Sequence, residues 1–556
     1  MADFTREEIE EKLAELAELA EAKAAEESED SEIEISVTEV KDEDDDIEDE
    51  EGSEVDATEE SDDSEETGEG EEVKELEEGE KAESEGEEEP GEALEQIPEE
   101  PEEEVFTFAG TDLGGLDLSG LDMSGLDFTG ANLKDVNLNE AILEGANFEK
   151  SDFTGAELQE AELSDAIFSE SVLVKTSFEG SNLSQADFTD AQLDETNFTN
   201  ANLSDAILAK HDLRKTTLDG ADFRRTILAE CDLSGMEFNE MTFSKANCAR
   251  ANLEGSKFFE CDLSRANFKN SNFKNADLSD SKLNQGNFYA ADFTETVLIR
   301  TSAKGANMAE AKLIETNLTR ANLAQIDFTD ATVHRSNLSR TKLSSAIFRR
   351  TDLEGSNLSE ADLNIADMTA ANLKSTDLSG ANMSRVKLPE GKLNGAQLSR
   401  TDLTRGKFMK AEMSDADLSG SNISGADFSE AIIEKTDFSR SNLVEAKFFK
   451  AKAEGSFLSG ADLQKVDFSE SDFQNAEFSG AKLGEANLEK GVFTGADMRR
   501  ADFQKANLNE INLEKANLSG AKFGEASLTK ANLTGAKLDD ADLDGADLAG
   551  AKGHSV

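Results

Sequence analysis

The amino-acid sequence predicts an all-β solenoid built from square coils, and three observations lead to this fold class. From Phe108 to Leu548 the chain repeats every five residues without an insertion, which makes 89 blocks in phase. The third residue of nearly every block is Leu or Phe. The residue two places earlier is usually small, and the residue between them is usually polar. A period of five fits neither an ordinary helix nor an alternating strand.

The five-residue period itself suggests the shape of one coil. A large and a small inward residue in each block fit a chain that turns a corner at every block. Four such sides close a coil of about 20 residues, with the Ser, Thr, Asn, Asp and Gly residues suited to the corners. Coils stack at the strand spacing of about 4.8 Å, so about 22 coils predict a rod roughly 105 Å long.

The repeats also carry a family signature. The pattern A(D/N)LXX occurs in blocks such as 131–135, 221–225 and 546–550. The chain thereby resembles the pentapeptide-repeat family over about 80% of its length. The resemblance implies a right-handed quadrilateral β-helix over residues 105–550, followed by a tail at 551–556. The first blocks depart from the pattern, because they place large residues in the small slot, at Phe106, Leu116, Leu121 and Leu126. We interpret them as a wider or capped first turn.

Residues 1–27 are predicted to form a short amphipathic helix. Thr5 and Glu8 match the capping-box pattern at a helix N-terminus. Apolar residues then recur at helical spacing, at Ile9, Leu13, Leu16 and Ala20. A lone apolar stripe can fill a groove on a partner, and the alternative is a weakly stable helix exposed to solvent.

Residues 28–104 form an acidic, low-complexity segment that we expect to be disordered. Residues 1–105 hold 51 acids and 6 bases, out of 123 and 54 in the whole chain. Such a segment cannot bury enough apolar area to offset the entropy of ordering it. Ile33, Ile35 and Val37 alternate with polar residues, so they are a candidate motif for adding a strand to a partner's sheet. The alternative is that they have no role.

Surface charge changes along the repeats. Residues 106–205 hold 20 acids and 3 bases, whereas residues 206–405 hold 26 acids and 27 bases. Two basic columns follow steps of 20 residues, one at Arg225, Lys245 and Arg265 and the other at Arg300, Arg320 and Arg340. Like charges about 4.8 Å apart repel, which makes these columns candidate sites for an anion or partner. The anion could be a phosphate, an acidic partner or the chain's own acidic segment; the alternative is six well-solvated side chains.

A mixed apolar and basic patch is a further candidate. Met409 and Phe449 are predicted to be exposed two coils apart on one face, and two lysines flank each of them. Single exposed apolar residues are common, so the interpretation depends on their proximity to each other and to the lysines.

The sequence offers little for catalysis. His211 and Cys231 are neighbours in the small inward column, and a Cys–His pair can activate a thiol. A buried apolar site raises the pKa of a thiol and keeps it inert, and no third group follows in the column. We find no phosphate loop, zinc-spaced set or triad, so we expect no enzyme, no cofactor and no metal.

Composition narrows the location and the partners. A net charge of −69 argues against attraction to nucleic acid or anionic lipid through bulk charge. Three cysteines cannot form a disulfide framework, and no window approaches the roughly 20 apolar residues of a membrane span. We therefore expect a cytoplasmic protein without a membrane segment. Since both ends of the repeats are acidic, we expect a monomer or weak dimer.

The predicted function is a non-catalytic scaffold for protein partners of unknown identity. The family resemblance implies two alternatives. Some members resemble duplex DNA and bind DNA gyrase, although this chain is longer, has a neutral middle and shows no evident C-terminal dimerising helix. Other members are bacterial effectors or companions of secretion machinery.

Overall fold

The computed structural model describes residues 2–30 and 107–553 of the 556. The first range contains one helix, α1 (Arg6–Asp30). Residues up to Glu15 belong to the same compact unit as the repeats, whereas the rest of α1 belongs to a second unit. The acidic segment lies almost entirely outside the described residues, and the candidate motif at Ile33, Ile35 and Val37 lies wholly outside them.

The repeats form a right-handed β-helix, as predicted, with 20 residues in each coil. Parallel bridges join each bridging residue to the one 20 positions later, from Asp112–Asn132 to Asn532–Lys552. Each of the four sides of a coil contributes one bridging residue, which directly precedes the large inward residue of that side. The sheet on each face is therefore a ladder of single bridges, with no longer strand in the described range.

Most corners have the hydrogen bond and the positive φ of a type II turn. The amide of Ala131 donates to the carbonyl of Phe128 at 2.9 Å, and Gly130 between them has φ of 66°. The last residue of every described block from 110 to 550 has a positive φ, with the single exception of Lys215. A non-glycine residue in this region costs on the order of 1 kcal/mol. The bond from the amide of Lys150 to the carbonyl of Ser169 in the next coil, 2.9 Å long, illustrates what offsets that cost.

The interior consists of stacked large and small side chains. The rings of Phe108 and Phe128 stack with centroids 5.0 Å apart, and the large inward residues are almost all fully buried. Some hydroxyl groups in the small slot bond to the previous coil, as Thr176 Oγ1 does to the carbonyl of Phe153 at 2.8 Å, and others bond within their own turn, as Ser151 Oγ does to the carbonyl of Phe148 at 2.6 Å. These bonds satisfy polar groups that would otherwise be costly to bury.

The start of α1 closes the N-terminal end of the coil stack. Ile9 is fully buried, and the ring of Phe4 meets that of Phe108 edge-on at 5.8 Å. Asp3 and Asp112 exchange two bonds, from Asp3 N to the Asp112 carbonyl (2.6 Å) and from Asp112 N to Asp3 Oδ2 (2.7 Å). Ile9 is thus not exposed to solvent and does not present a surface to a partner protein, because it packs into the end of the chain's own core.

Polar groups of α1 complete this closure. The capping box forms as predicted, with Thr5 N donating to Glu8 Oε2 at 2.7 Å and Glu8 N donating to Thr5 Oγ1 at 3.3 Å. Arg6 donates to the carbonyls of Asp117 and Ser119, both at 3.1 Å. The large residues in the small slot pack partly buried against the core, in agreement with a capped first turn: Leu116, Leu121 and Leu126.

One coil departs from the repeat. His211 occupies the small slot, and its Nε2 bonds to the carbonyl of Phe188 at 2.8 Å. Three bridges that the repeat predicts within the described range, 192–212, 217–237 and 222–242, do not form there. The imidazole is larger than the Ala, Ser or Thr that the slot usually holds. We attribute the missing 192–212 bridge and the altered turn at Lys215 to this volume. The missing 217–237 and 222–242 bridges instead lie beside Met236 and Met241, which are also large residues in the small slot.

Candidate partner-binding surface

Charged corner residues pair between successive coils. Arg225 Nε donates to Asp205 Oδ1 at 2.7 Å, and this bond lowers the pKa of Asp205. The same pairing over 20 residues recurs along the repeats, in Arg250–Glu230, Arg335–Glu315, Arg350–Asp330 and Lys530–Glu510. Exposed pairs contribute only about 0–1 kcal/mol each to stability. Their importance here is that they show which cations already have an anionic partner.

The second predicted column is largely neutralised by such pairs. Arg300 Nε donates to Asp280 Oδ1 at 2.7 Å, and Arg340 Nε donates to Glu360 Oε2 at 3.0 Å. Arg320 lies between them and forms no ion pair with the described residues. One of its three cations is therefore left available.

The first predicted column differs, because two of its three cations lack an acidic partner. Arg225 is held by Asp205, as described above. Arg265 Nε donates to Gln285 Oε1, a neutral group, at 2.8 Å. Lys245 forms no ion pair within the part of the chain that the structure describes.

Lys245 and Arg265 line a surface recess of 470 Å³, which we call recess 1. The complete lining is Ser244, Lys245, Ser264, Arg265, Asn284, Gln285, Lys304, Gly305 and Gln325. It contains three cations and no carboxylate. Asn284 Oδ1 accepts bonds from Lys304 N (2.9 Å) and Ser302 Oγ (2.7 Å). This leaves the amide N–H groups of Asn284 as donors for a ligand.

A second recess, recess 2, has a volume of 500 Å³ and lies farther along the same corner of the coils. Arg385, Arg405 and Gly425 line it at three successive steps of the corner that Lys245, Arg265, Gln285 and Gly305 follow in recess 1. Two acids are also present, Asp402 and Glu445. Asp402 Oδ1 already accepts bonds from the backbone and hydroxyl of Thr404.

A third recess shows the contrasting case. Arg499 and Arg500 line it together with Asp539 and Asp540, two bases and two acids as in recess 2. Arg499 is, however, held by Asp497, at 2.8 Å from Nε to Oδ1. We therefore do not group it with the first two.

Recess 1 and recess 2 belong to one continuous feature, which we call the cationic corner. It consists of the ten corner residues at steps of 20 from 245 to 425: Lys245, Arg265, Gln285, Gly305, Gln325, Ser345, Ile365, Arg385, Arg405 and Gly425. None of them is acidic. Searching the sequence for consecutive bases finds Lys245 with Arg265 and Arg385 with Arg405 as two separate pairs, whereas searching each column for a long stretch without acids would have found the whole corner.

The predicted apolar patch is not continuous. Met409 is exposed (40%), but Phe449 is half-buried, with Lys450 Nζ 4.6 Å from its ring centroid. Ser429 occupies the coil between them. Met409 and Phe449 stay a predicted partner patch that the geometry supports only weakly.

The cysteine thiols and the His211 imidazole of the repeats are buried or already hydrogen-bonded. Burial raises the pKa of Cys231 to about 12, and its Sγ donates to the carbonyl of Leu208 at 2.9 Å. Burial also raises the pKa of Cys248 and of Cys261, and it lowers the pKa of His211. His211 and Cys231 bond to different carbonyls, so they do not form an activated pair. Within the described residues, no group of three or more His, Cys, Asp or Glu side chains could hold a metal ion.

The described helix does not have the length and hydropathy that a membrane crossing requires.

The fold and surface together define a class: a β-helical repeat protein that presents ordered side chains along stacked corners. Within that class, the chain belongs to the pentapeptide-repeat family. The family model described as "Pentapeptide repeats (8 copies)" matches segments between residues 107 and 552, and the model "Pentapeptide repeat region" matches residues 141–223.

Solved structures of related proteins were also compared. HetL from the cyanobacterium Nostoc sp. strain PCC 7120, a pentapeptide-repeat protein involved in heterocyst differentiation regulation, is 32% identical over 43% of this chain and 92% of its own, with a TM-score of 0.16. Trypsin-treated QnrB1, a plasmid-mediated fluoroquinolone resistance protein, is 22% identical over 32% of this chain and 88% of its own, with a TM-score of 0.22. No curated protein matches the chain.

Proposed function

We propose that the chain is a non-catalytic scaffold for protein–protein interaction. The observation that carries this proposal is the cationic corner, where Lys245, Arg385 and Arg405 have no ion pair among the described residues. The corner is rigid, because each coil is hydrogen-bonded to the next along every face. A rigid array of cations without carboxylate partners is suited to hold a partner in a fixed register.

The proposal includes a cytoplasmic location and a monomer or weak dimer. The three cysteines are all free and buried, which is compatible with a reducing compartment. Acidic residues crowd the last described coils, at Asp539, Asp540, Asp542 and Asp544. Their repulsion opposes end-to-end association at low salt. Growth of polymers in dilute buffer, seen by light scattering, would contradict this part.

The scaffold function can be tested by cross-linking in a lysate of the source organism. The tagged full-length chain is cross-linked and captured, and the cross-linked residues are identified by mass spectrometry. We expect cross-links from partner proteins to lysines within residues 107–553. Adding excess untagged chain should remove these cross-links, because it competes for the same partners. Capture without any competed cross-link to these coils would contradict a scaffold built on the repeats.

A second candidate function is mimicry of DNA toward gyrase or another nucleic-acid-binding protein. The observation that favours it is the excess of acids in residues 106–205, with outward carboxylates at Glu140, Glu160 and Asp165. Inhibition or protection of purified gyrase in a supercoiling assay would support it, and no effect at molar excess of the chain would contradict it. An effector or secretion-associated role is a further alternative that rests on the family resemblance alone.

A further inference from the structure

The cationic corner contains no acidic corner residue over ten successive coils, so its bases have no acid one coil away in their own column. In other corners of the described coils some bases meet an acid one coil away, as Arg350 meets Asp330, whereas others, such as Arg400, form no ion pair. Within the described residues, Lys245, Arg385 and Arg405 meet none. Neighbouring corner cations lie about 4.8 Å apart and repel, which an external anion would relieve.

Glycine opens both recesses. A Cβ added to Gly305 would lie 3.9 Å from Gln285 Cγ, and one added to Gly425 would lie 3.5 Å from Arg405 Cγ. A side chain at either position would therefore extend over the preceding corner residue and occupy part of the recess. Gly425 thus leaves Arg405 uncovered, and Gly305 leaves Gln285, the partner of Arg265, uncovered.

The dimensions favour an extended ligand. Lys245 and Gly305 are three coils apart, about 14 Å, which exceeds the reach of one phosphate. An extended peptide advances about 3.4 Å per residue, so residues four apart span that distance. Arg265 in recess 1 and Arg405 in recess 2 are seven coils apart, about 34 Å, or about 10 residues of extended chain.

The chemistry favours a peptide over a nucleic acid. Recess 2 contains Asp402 and Glu445 beside its two arginines. A phosphodiester backbone offers no donor to these carboxylates, whereas a peptide offers its backbone N–H groups. The net charge of −69 also repels a long polyphosphate more strongly than a short acidic segment.

We propose that the cationic corner binds an extended acidic segment of a partner protein, with one cluster of carboxylates in each recess. This inference rests on the proposed scaffold function and names the chemistry of its partner. The bound segment runs along the corner, and its carboxylates accept bonds from Lys245, Arg265 and Lys304 at one end and from Arg385 and Arg405 at the other.

Fluorescence anisotropy with the full-length chain tests this. The probe is a labelled peptide with two tetraglutamate clusters joined by Gly and Ser, with cluster centres about 10 residues apart. The variant Arg385→Gln/Arg405→Gln should bind it at least about tenfold more weakly, as should Lys245→Gln/Arg265→Gln/Lys304→Gln. A peptide with one cluster should bind at least about tenfold more weakly than the two-cluster peptide.

The matched control removes two charges from another corner, where bases alternate with acids. Lys490→Gln/Lys530→Gln should change the affinity by less than about twofold, because Lys530 already binds Glu510 at 2.9 Å. An equal loss in the control would overturn the proposal, as would equal binding of the one-cluster peptide. Tighter binding of an oligothymidylate of the same charge would point to nucleic acid instead and would also overturn it. The lysate cross-links do not depend on this peptide, so failure here is distinguishable from failure of the scaffold function.

Discussion

His211 donates from Nε2 to the carbonyl oxygen of Phe188 across 2.8 Å, a bond that a hydroxyl makes in other coils. Thr176, for example, reaches the carbonyl of Phe153 at 2.8 Å from the same slot. The bond is therefore typical of the fold, but the ring that makes it is too large for the slot. The cost is visible beside the ring, where the bridge between Gln192 and Asp212 does not form.

Replacing His211 with Thr should stabilise the coils around it. Threonine can make the same carbonyl bond while allowing the neighbouring coils to close, and restored backbone bonds are worth about 1 kcal/mol each. We expect slower amide hydrogen exchange at Asp212 and Lys215 and a higher unfolding midpoint in denaturant. The control Thr176→Ser should change little, and faster exchange in His211→Thr would show that the imidazole is not the cause of the defect.

His211 should also make stability depend on pH. Burial lowers its pKa below the ordinary value of 6.5, so the unfolded chain binds a proton more readily than the folded chain. This contribution is fully present above the unfolded pKa and is lost as pH falls below about 6.5 toward the folded pKa. Between pH 7.5 and 5.5, the native chain should lose more stability than His211→Thr in denaturant titrations. Parallel curves for the two proteins would contradict the assignment.

Leu318→Asp should disrupt the interior locally. Leu318 is fully buried in the large inward column, and an unpaired carboxylate there should cost more than about 4 kcal/mol. Since each coil contacts only its neighbours, hydrogen exchange should accelerate near residues 298 and 338 while coils far away keep their protection. Leu318→Met, which nearly conserves volume, is the control and should cost less than about 1.5 kcal/mol. An unchanged exchange pattern in Leu318→Asp would disprove the assigned register.

Ile9→Ala should open the N-terminal end. Ile9 is fully buried there, and truncating a buried isoleucine typically costs about 2–5 kcal/mol. We expect faster amide exchange in the first coil, at Leu113 and Leu118, with little change beyond the next few coils. Leu19→Ala is the control, because Leu19 is 59% exposed. Equal effects of the two variants would show that α1 does not act as a cap.

The register of the fold was predictable because each block is a local unit. A turn and one large inward residue recur in every five residues, so the spacing of Leu and Phe reports the corners directly. The resemblance to the pentapeptide-repeat family supplied the handedness, and the family match confirms it. The Thr5–Glu8 capping box was readable for the same reason, since both partners lie within one turn.

The candidate surface was only partly predictable. Steps of 20 residues place Arg225, Lys245 and Arg265 in one column, but they do not show which of these side chains forms an ion pair with a carboxylate. Arg225 and Arg265 look alike in the sequence, yet one binds Asp205 and the other binds Gln285. The steps of 20 place Asp205 beside Arg225 and Gln285 beside Arg265, but side-chain direction decides which neighbour each guanidinium bonds to. Lys304 was missed because it lies beside the column.

The sequence by itself determined the five-residue period, the 20-residue coil and the identity of the inward residues, because these depend on turns closed within a few residues. Only the tertiary structure decided that Ile9 closes the chain's own end and that Lys245, Arg385 and Arg405 keep no acidic partner. The closure joins residues about 100 positions apart, such as Phe4 and Phe108. The free cations depend on which side chains meet across stacked coils. Both are long-range contacts, and a local pattern cannot specify them.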